Sequence, residues 1–200
     1  ELARVSFKYT PDGPLVLQEL DVQISPGEFV AFVGPSGSGK STVFRLLLGF
    51  DSPSSGAVFF DGQDLCGLDA RSVRQQIGVV LQQGTLLPGD IFTNIVGSSS
   101  LTLDDAWAAA RQAGLEEDIE ALPMGMHTFI AEGGGNLSGG QLQRLLIARA
   151  LAGKPRILLF DEATTALDNV TQEAVARNLE RINATRVVIA HRLSTVRKAD

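Results

Sequence analysis

The sequence predicts an α/β domain with a mostly parallel sheet, on three observations. Short apolar runs at residues 28–33, 77–81, 157–160 and 187–190 read as strands buried on both faces. Segments with helical spacing of apolar residues separate them. The first run leads directly into a glycine-rich loop and then a helix. Strands that alternate with helices favour a parallel sheet covered on both sides.

Val5, Phe7 and Tyr9 alternate on one face, and Leu20, Val22 and Ile24 alternate again after the turn Pro11-Asp12-Gly13-Pro14, so two antiparallel strands are expected at the N-terminus. The turn Ser25-Pro26-Gly27 introduces the strand at 28–33. A helix is expected from Lys40 to Leu48, stopped by Gly49, and Asp61-Gly62 marks a hairpin after a strand at 57–60. Between about Pro88 and Leu151 the character becomes helical, with Thr102 as N-cap and Gly114 as the stop for the alanine-rich segment around Trp107. Val175, Leu179 and Ile182 recur at helical spacing between the last two strands. The organisation expected is a core of about 1–87 and 152–200 with a helical subdomain of about 88–151 inserted into it.

Two hundred residues bury a sizeable core. The 17 Lys+Arg against 23 Asp+Glu leave a net charge of −6, which argues against a nucleic-acid partner bound by this domain alone. A single cysteine, Cys66, cannot pair within the chain, so a reducing compartment is the default. The apolar runs fall far short of the roughly 20 residues a membrane-spanning helix needs. The chain starts at Glu1 without an initiator Met and stops at Asp200 inside an expected helix, so it reads as part of a longer polypeptide.

Gly34-Pro35-Ser36-Gly37-Ser38-Gly39-Lys40-Ser41 fits G-x-x-x-x-G-K-[ST] and lies between a buried strand and a helix, the context a phosphate loop requires. Its glycines let backbone N–H groups turn toward phosphate oxygens, the helix N-terminus adds positive potential, and Lys40 reaches the terminal phosphates. Ser41 is the expected Mg²⁺ ligand, and Thr42 follows it among the nucleotide-binding residues. The strand at 157–160 ends in Asp161-Glu162, whose side chains point to opposite faces. Asp161 is expected to hold Mg²⁺ through water beside Ser41, and Glu162 to orient or deprotonate the attacking water. Leu137-Ser138-Gly139-Gly140-Gln141 precedes an amphipathic helix carrying Leu142, Leu145 and Leu146. A helix start with a hydroxyl and two glycines is a second anion site, and two such sites in one chain suggest two chains sharing nucleotides.

With these motifs in this order, the sequence resembles the nucleotide-binding domain of ABC transporters over essentially its whole length. The resemblance implies a P-loop NTPase (RecA-like) fold with an N-terminal antiparallel β part and an inserted helical subdomain, and ATP with Mg²⁺ as its ligands. It also implies that Tyr9 stacks on adenine, that Gln82 touches Mg²⁺ and the attacking water, and that His191 contacts the γ-phosphate. Asp168, in Thr165-Ala166-Leu167-Asp168, matches the loop that crosses to the opposite subunit. Gln83 follows Gln82, and the strand at 77–81 favours Gln82 for the role. Thr165 stands where the family often has serine, and no catalytic position is degenerate, which favours a homodimer or the active half of a heterodimer.

Glu132-Gly133-Gly134 and Ile91-Phe92-Thr93-Asn94-Ile95 resemble exporter patterns. The implied partners are a second nucleotide-binding domain and a transmembrane domain upstream on the same chain, at the cytoplasmic face of the membrane. The alternative is a soluble ABC ATPase with no membrane domain. Relatives in DNA repair carry coiled coils or zinc insertions, whereas here 97 positions separate Lys40 from Leu137, with no heptad array and one cysteine. A translation factor would carry a basic surface, and a P-loop kinase would leave residues 137–141 without a task.

Overall fold

The computed structural model describes residues 1–82, 84–161, 166–190 and 199. In chain order the first elements are β1 (Leu2–Phe7), β2 (Leu17–Val22), β3 (Phe29–Phe32), α1 (Lys40–Leu47), β4 (Ser55–Phe60), β5 (Gln63–Asp64) and α2 (Ala70–Arg74). There follow β6 (Ile77–Val80), β7 (Gly89–Asp90), α3 (Ile91–Val96), α4 (Leu103–Gln112), α5 (Glu116–Glu120) and β8 (Phe129–Ile130). The last are α6 (Gly139–Ala152), β9 (Ile157–Asp161), α7 (Asn169–Glu180) and β10 (Thr185–Ile189). They divide into two compact units, Glu1–Gln75 with Thr185–Asp200, and Gln76–Ala184. Among the described residues no helix is long and apolar enough to cross a membrane.

In the first unit an antiparallel sheet of order β2-β1-β4-β5 is built around β1. Asp61 and Gly62, with φ of 49° and 76°, close the β4–β5 hairpin as the sequence implies. The β1–β2 register shifts twice, between Leu2 and Val5 and between Val5 and Phe7. Arg4 takes a φ of 46° in the first of these irregular stretches, so Leu2 and Val5, three residues apart, are both buried. Beside this sheet in the chain, β3 runs parallel to β10 with Phe29 opposite Arg186 and Phe32 opposite Ile189. The sequence suggests burial of 28–33 on both faces. Instead β3 is half-buried throughout and Val33, just beyond it, is 56% exposed; among the described residues β3 pairs with β10 alone.

The second unit holds the other parallel pair, β6 and β9, with Ile77 opposite Ile157 and Val80 opposite Phe160. Helix α6 packs directly on β6 at Gly78. A Cβ there would come within 2.3 Å of the Ala150 carbonyl oxygen, so only glycine permits this approach. Around it Ile91, Ile95, Ile119, Leu145, Ile147, Leu158 and Leu159 form the core, each essentially without solvent exposure and each contributing roughly 1.5–3 kcal/mol by burial. Thr102 caps α4 in a reciprocal pair with Asp105, and Gly114 follows its C-terminus with φ 67°. The segment expected to be helical also contains a short antiparallel pair, β7 with β8, which period-based reading does not detect in two-residue strands.

Candidate functional site

In the first unit the glycine loop joins β3 to α1. Gly39 forms the N-cap of α1 at φ 89°, with no side chain capping the first turn. A Cβ at Gly39 would meet Leu17 Cδ2 at 2.8 Å and the Val16 carbonyl oxygen at 3.0 Å, so the loop is seated against β2 by the absence of a side chain. The Lys40 ammonium donates to the carbonyl oxygens of Gly34 at 2.9 Å and Pro35 at 2.7 Å and to Ser38 Oγ at 3.3 Å. All three of its donors therefore face the inside of the loop, where a phosphate oxygen would compete for them. Ser41 is exposed in the first turn of α1, and Thr42 behind it is 5% exposed. Ser36 and Gly37 form the exposed tip, Gly37 at φ 81°. Tyr9 lies past the end of β1, 56% exposed, with its ring edge-on to Phe7.

In the second unit Asp161 is the last residue of β9 and is 5% exposed, while Gln82 is exposed just beyond β6. Because β6 and β9 are parallel neighbours, both residues stand at the same, carboxyl end of the pair, where open α/β sheets bind ligands. The chain after Gln82 is tied to α6 by an arrangement that sequence reasoning missed. Arg149 donates Nε to the Asn94 carbonyl oxygen at 2.6 Å, Nη2 to Asn94 Oδ1 at 2.6 Å and Nη1 to the Thr85 carbonyl oxygen at 3.1 Å. Asn94, 3% exposed, exchanges hydrogen bonds with the Leu87 backbone. Burial lowers the Arg149 pKa from its ordinary value, though the guanidinium keeps its charge.

Ser138 caps α6 by a reciprocal pair: Gln141 N donates to Ser138 Oγ at 3.2 Å, and Ser138 N donates to Gln141 Oε1 at 3.0 Å. Gly139 and Gly140 follow in ordinary helical backbone. A Cβ at Gly139 would meet nothing nearer than 3.9 Å and one at Gly140 nothing nearer than 3.7 Å, so nothing among the described residues requires either glycine. In a helix interior glycine costs about 1 kcal/mol relative to alanine, so these two glycines are not there to stabilise the helix. Gln143 Oε1 accepts from Ala166 N at 2.8 Å, bringing the 166–168 loop against α6. Asp168 caps α7, accepting from Val170 N and Thr171 N at 3.0 Å and from Thr171 Oγ1 at 2.6 Å. These bonds, led by the Thr171 hydroxyl, hold its carboxyl below the usual range. Glu162, His191, Thr165 and Gln83 lie outside the described residues.

Among the described residues no cluster of three or more His, Cys, Asp or Glu could hold a metal. Ser41, Gln82 and Asp161 offer oxygen donors only, and Mg²⁺ is commonly held by one or two such protein groups together with phosphate oxygens and water. Each of these residues, Ser41 in the first unit and Gln82 and Asp161 in the second, thus carries the kind of donor that Mg²⁺ takes beside a nucleotide.

A strand and helix joined by such a loop, with its lysine turned inward, define a P-loop nucleotide-binding protein. Within that class the chain belongs to the ABC transporter family, whose model matches residues 17–165. It is 47% identical over 199 residues to the exotoxin translocation ATP-binding protein PaxB of Pasteurella aerogenes, covering 98% of this chain and 28% of that protein. To the alpha-hemolysin translocation ATP-binding protein HlyB of Escherichia coli O157:H7 it is 46% identical, covering 100% of this chain and 29% of that one. The chain thus spans under a third of the length of these curated relatives. A solved structure of a bacterial Atm1-family ABC exporter with ATP bound superposes with a TM-score of 0.94 at 40% identity, covering 100% of this chain and 35% of that one.

Proposed function

We propose that this chain is the ATP-binding and ATP-hydrolysing motor domain of an ABC exporter. It works head to tail with a second nucleotide-binding domain, in a homodimer or a paired half, and drives a membrane domain from the cytoplasmic face of the membrane. In this reading residues of about 1–87 and 152–200 form the catalytic core and about 88–151 the helical subdomain. The membrane domain belongs to the longer protein, as the length of the relatives supports.

The observation that carries the reading is the pair of helix starts suited to phosphate in one chain, α1 behind its loop and α6 behind Ser138. In the proposal Tyr9 stacks on adenine, and Lys40 with the amides of residues 34–41 binds the β- and γ-phosphates. Ser41, Gln82 and Asp161 would hold Mg²⁺, which neutralises phosphate charge when bound. Glu162 takes the proton of the attacking water, and His191 donates to the γ-phosphate. Ser138, Gly139, Gly140 and Gln141 of the second domain close the site from the far side. Asp168, with its carboxylate engaged in capping α7, shapes the loop that faces the opposite subunit.

ATP turnover by the full-length protein tests the reading. Lys40→Ala should lower it about 100-fold or more, as loss of a preorganised charge at a transferring phosphate does. Unchanged turnover together with unchanged ATP affinity would remove the loop from catalysis.

A further inference from the structure

The start of α6 carries contacts beyond its capping pair. Asp118, on α5, accepts from Gln141 Nε2 at 2.9 Å through Oδ1 and pairs with Arg144 Nη1 at 2.8 Å through Oδ2. Arg144, whose side chain is 15% exposed, also donates Nε to the Gly140 carbonyl oxygen at 3.3 Å and Nη1 to the Gly114 carbonyl oxygen at 2.5 Å. One carboxylate thus holds the residues one and four positions beyond Gly140.

The chemistry of these groups sets a direction. An ionised carboxylate only accepts, so Gln141 must turn its NH₂ group to Asp118 and its Oε1 to the Ser138 amide. Ser138 Oγ accepts from Gln141 N, which leaves its own O–H as a donor. Without Asp118 the carboxamide is oriented by the Ser138 amide alone, so rotation that sets donor against donor is opposed by one hydrogen bond instead of two.

We propose that Asp118 is a positioning residue for phosphate capture. By fixing the Gln141 carboxamide and holding Arg144 against Gly140, it presents the Ser138 hydroxyl and the first amides of α6 as donors to the terminal phosphate of a nucleotide held by a second domain. This rests on the reading of Ser138 as a phosphate ligand.

The test is a polarity swap in the full-length protein. Asp118→Asn leaves the Gln141–Arg144 pair one acceptor short, and Gln141→Glu sets two carboxylates together. Each should lower kcat for ATP about tenfold while ADP affinity, which in this reading does not draw on α6 of the second domain, stays within about twofold. In the double variant Asp118→Asn/Gln141→Glu every partner is satisfied again. The new carboxamide on α5 donates to the new carboxylate on α6 and accepts from Arg144, while that carboxylate accepts from the Ser138 amide. Its kcat should exceed that of either single variant by about threefold or more, the coupling expected of two side chains in direct contact. Wild-type kcat in either single variant, or a double variant no faster than the single variants, would overturn the proposal. Ser138→Ala separates the two levels. Wild-type turnover in that variant would overturn the reading of Ser138 itself, whereas a loss there with full activity in Asp118→Asn would overturn only the role of Asp118.

Discussion

The Tyr9 hydroxyl is hydrogen-bonded to Thr42 Oγ1 at 2.9 Å, across 33 residues of sequence. The aromatic ring at the end of β1 is thereby tied to the first turn of the helix that carries Lys40 and Ser41. Its other neighbour, Phe7, meets it edge-on at 4.9 Å. If Tyr9 stacks on adenine as proposed, a ring held at two points loses less entropy on binding.

Tyr9→Phe keeps the ring and removes the tether. With one neutral hydrogen bond worth about 0.5–1.5 kcal/mol, KM for ATP should rise roughly two- to tenfold with kcat little changed. Tyr9→Ala should raise KM further. Steady-state kinetics of both variants check this, and an unchanged KM in both would separate Tyr9 from the nucleotide.

Gly140→Ala should yield a protein as stable as the parent or up to about 1 kcal/mol more stable, since the new Cβ meets only ordinary contacts and alanine favours the helix. ATP turnover should nonetheless fall at least about tenfold, because the methyl group occupies the space through which a phosphate would approach. Gly39→Ala should behave differently and destabilise the fold, given the 2.8 Å approach to Leu17 and the positive φ. Urea denaturation alongside turnover distinguishes the two. A Gly140→Ala protein with full activity would mean that nothing docks on that turn.

Acid stability should report the α4 cap. Hydrogen bonds from the Thr102 hydroxyl and amide, then Lys154, hold the Asp105 carboxyl at about 2, below the ordinary 3.8. Because the folded state keeps this carboxylate ionised to lower pH than the unfolded chain does, its contribution is complete above about pH 4. It is lost as pH falls from there through about 2. Denaturation midpoints between about pH 5 and 2.5 should therefore fall less steeply for Asp105→Asn than for the parent. Equal slopes would mean that the cap does not form in solution.

What could be read in the sequence was local. The phosphate loop, the Asp61-Gly62 hairpin and the Thr102 and Gly114 boundaries of α4 each depend on backbone chemistry within a few residues. What escaped was long-range. The irregular register of β1 is settled against β2 and β4, so alternation alone could not show Leu2 and Val5 sharing the core. Asp118 lies 23 residues from Gln141, on a separate helix, and no local pattern marks the pairing. The tether between Tyr9 and Thr42 joins two residues that each read as nucleotide-binding, with no sign in the sequence that they touch.

If Ser138 completes the site of a second domain, no single chain contains a complete site, and nucleotide must drive association. Glu162→Gln keeps the shape of the proposed base but cannot accept the proton of the attacking water, so ATP should stay bound. Sedimentation of that variant of the isolated domain should give monomer without nucleotide, a shift to dimer with Mg²⁺ and ATP, and a much weaker shift with ADP, which lacks the bridging phosphate. Ser138→Ala in the same background should weaken the ATP-dependent dimer at both of its equivalent sites. A monomer at every concentration in all three conditions, from a domain whose parent hydrolyses ATP at its full rate, would contradict the account.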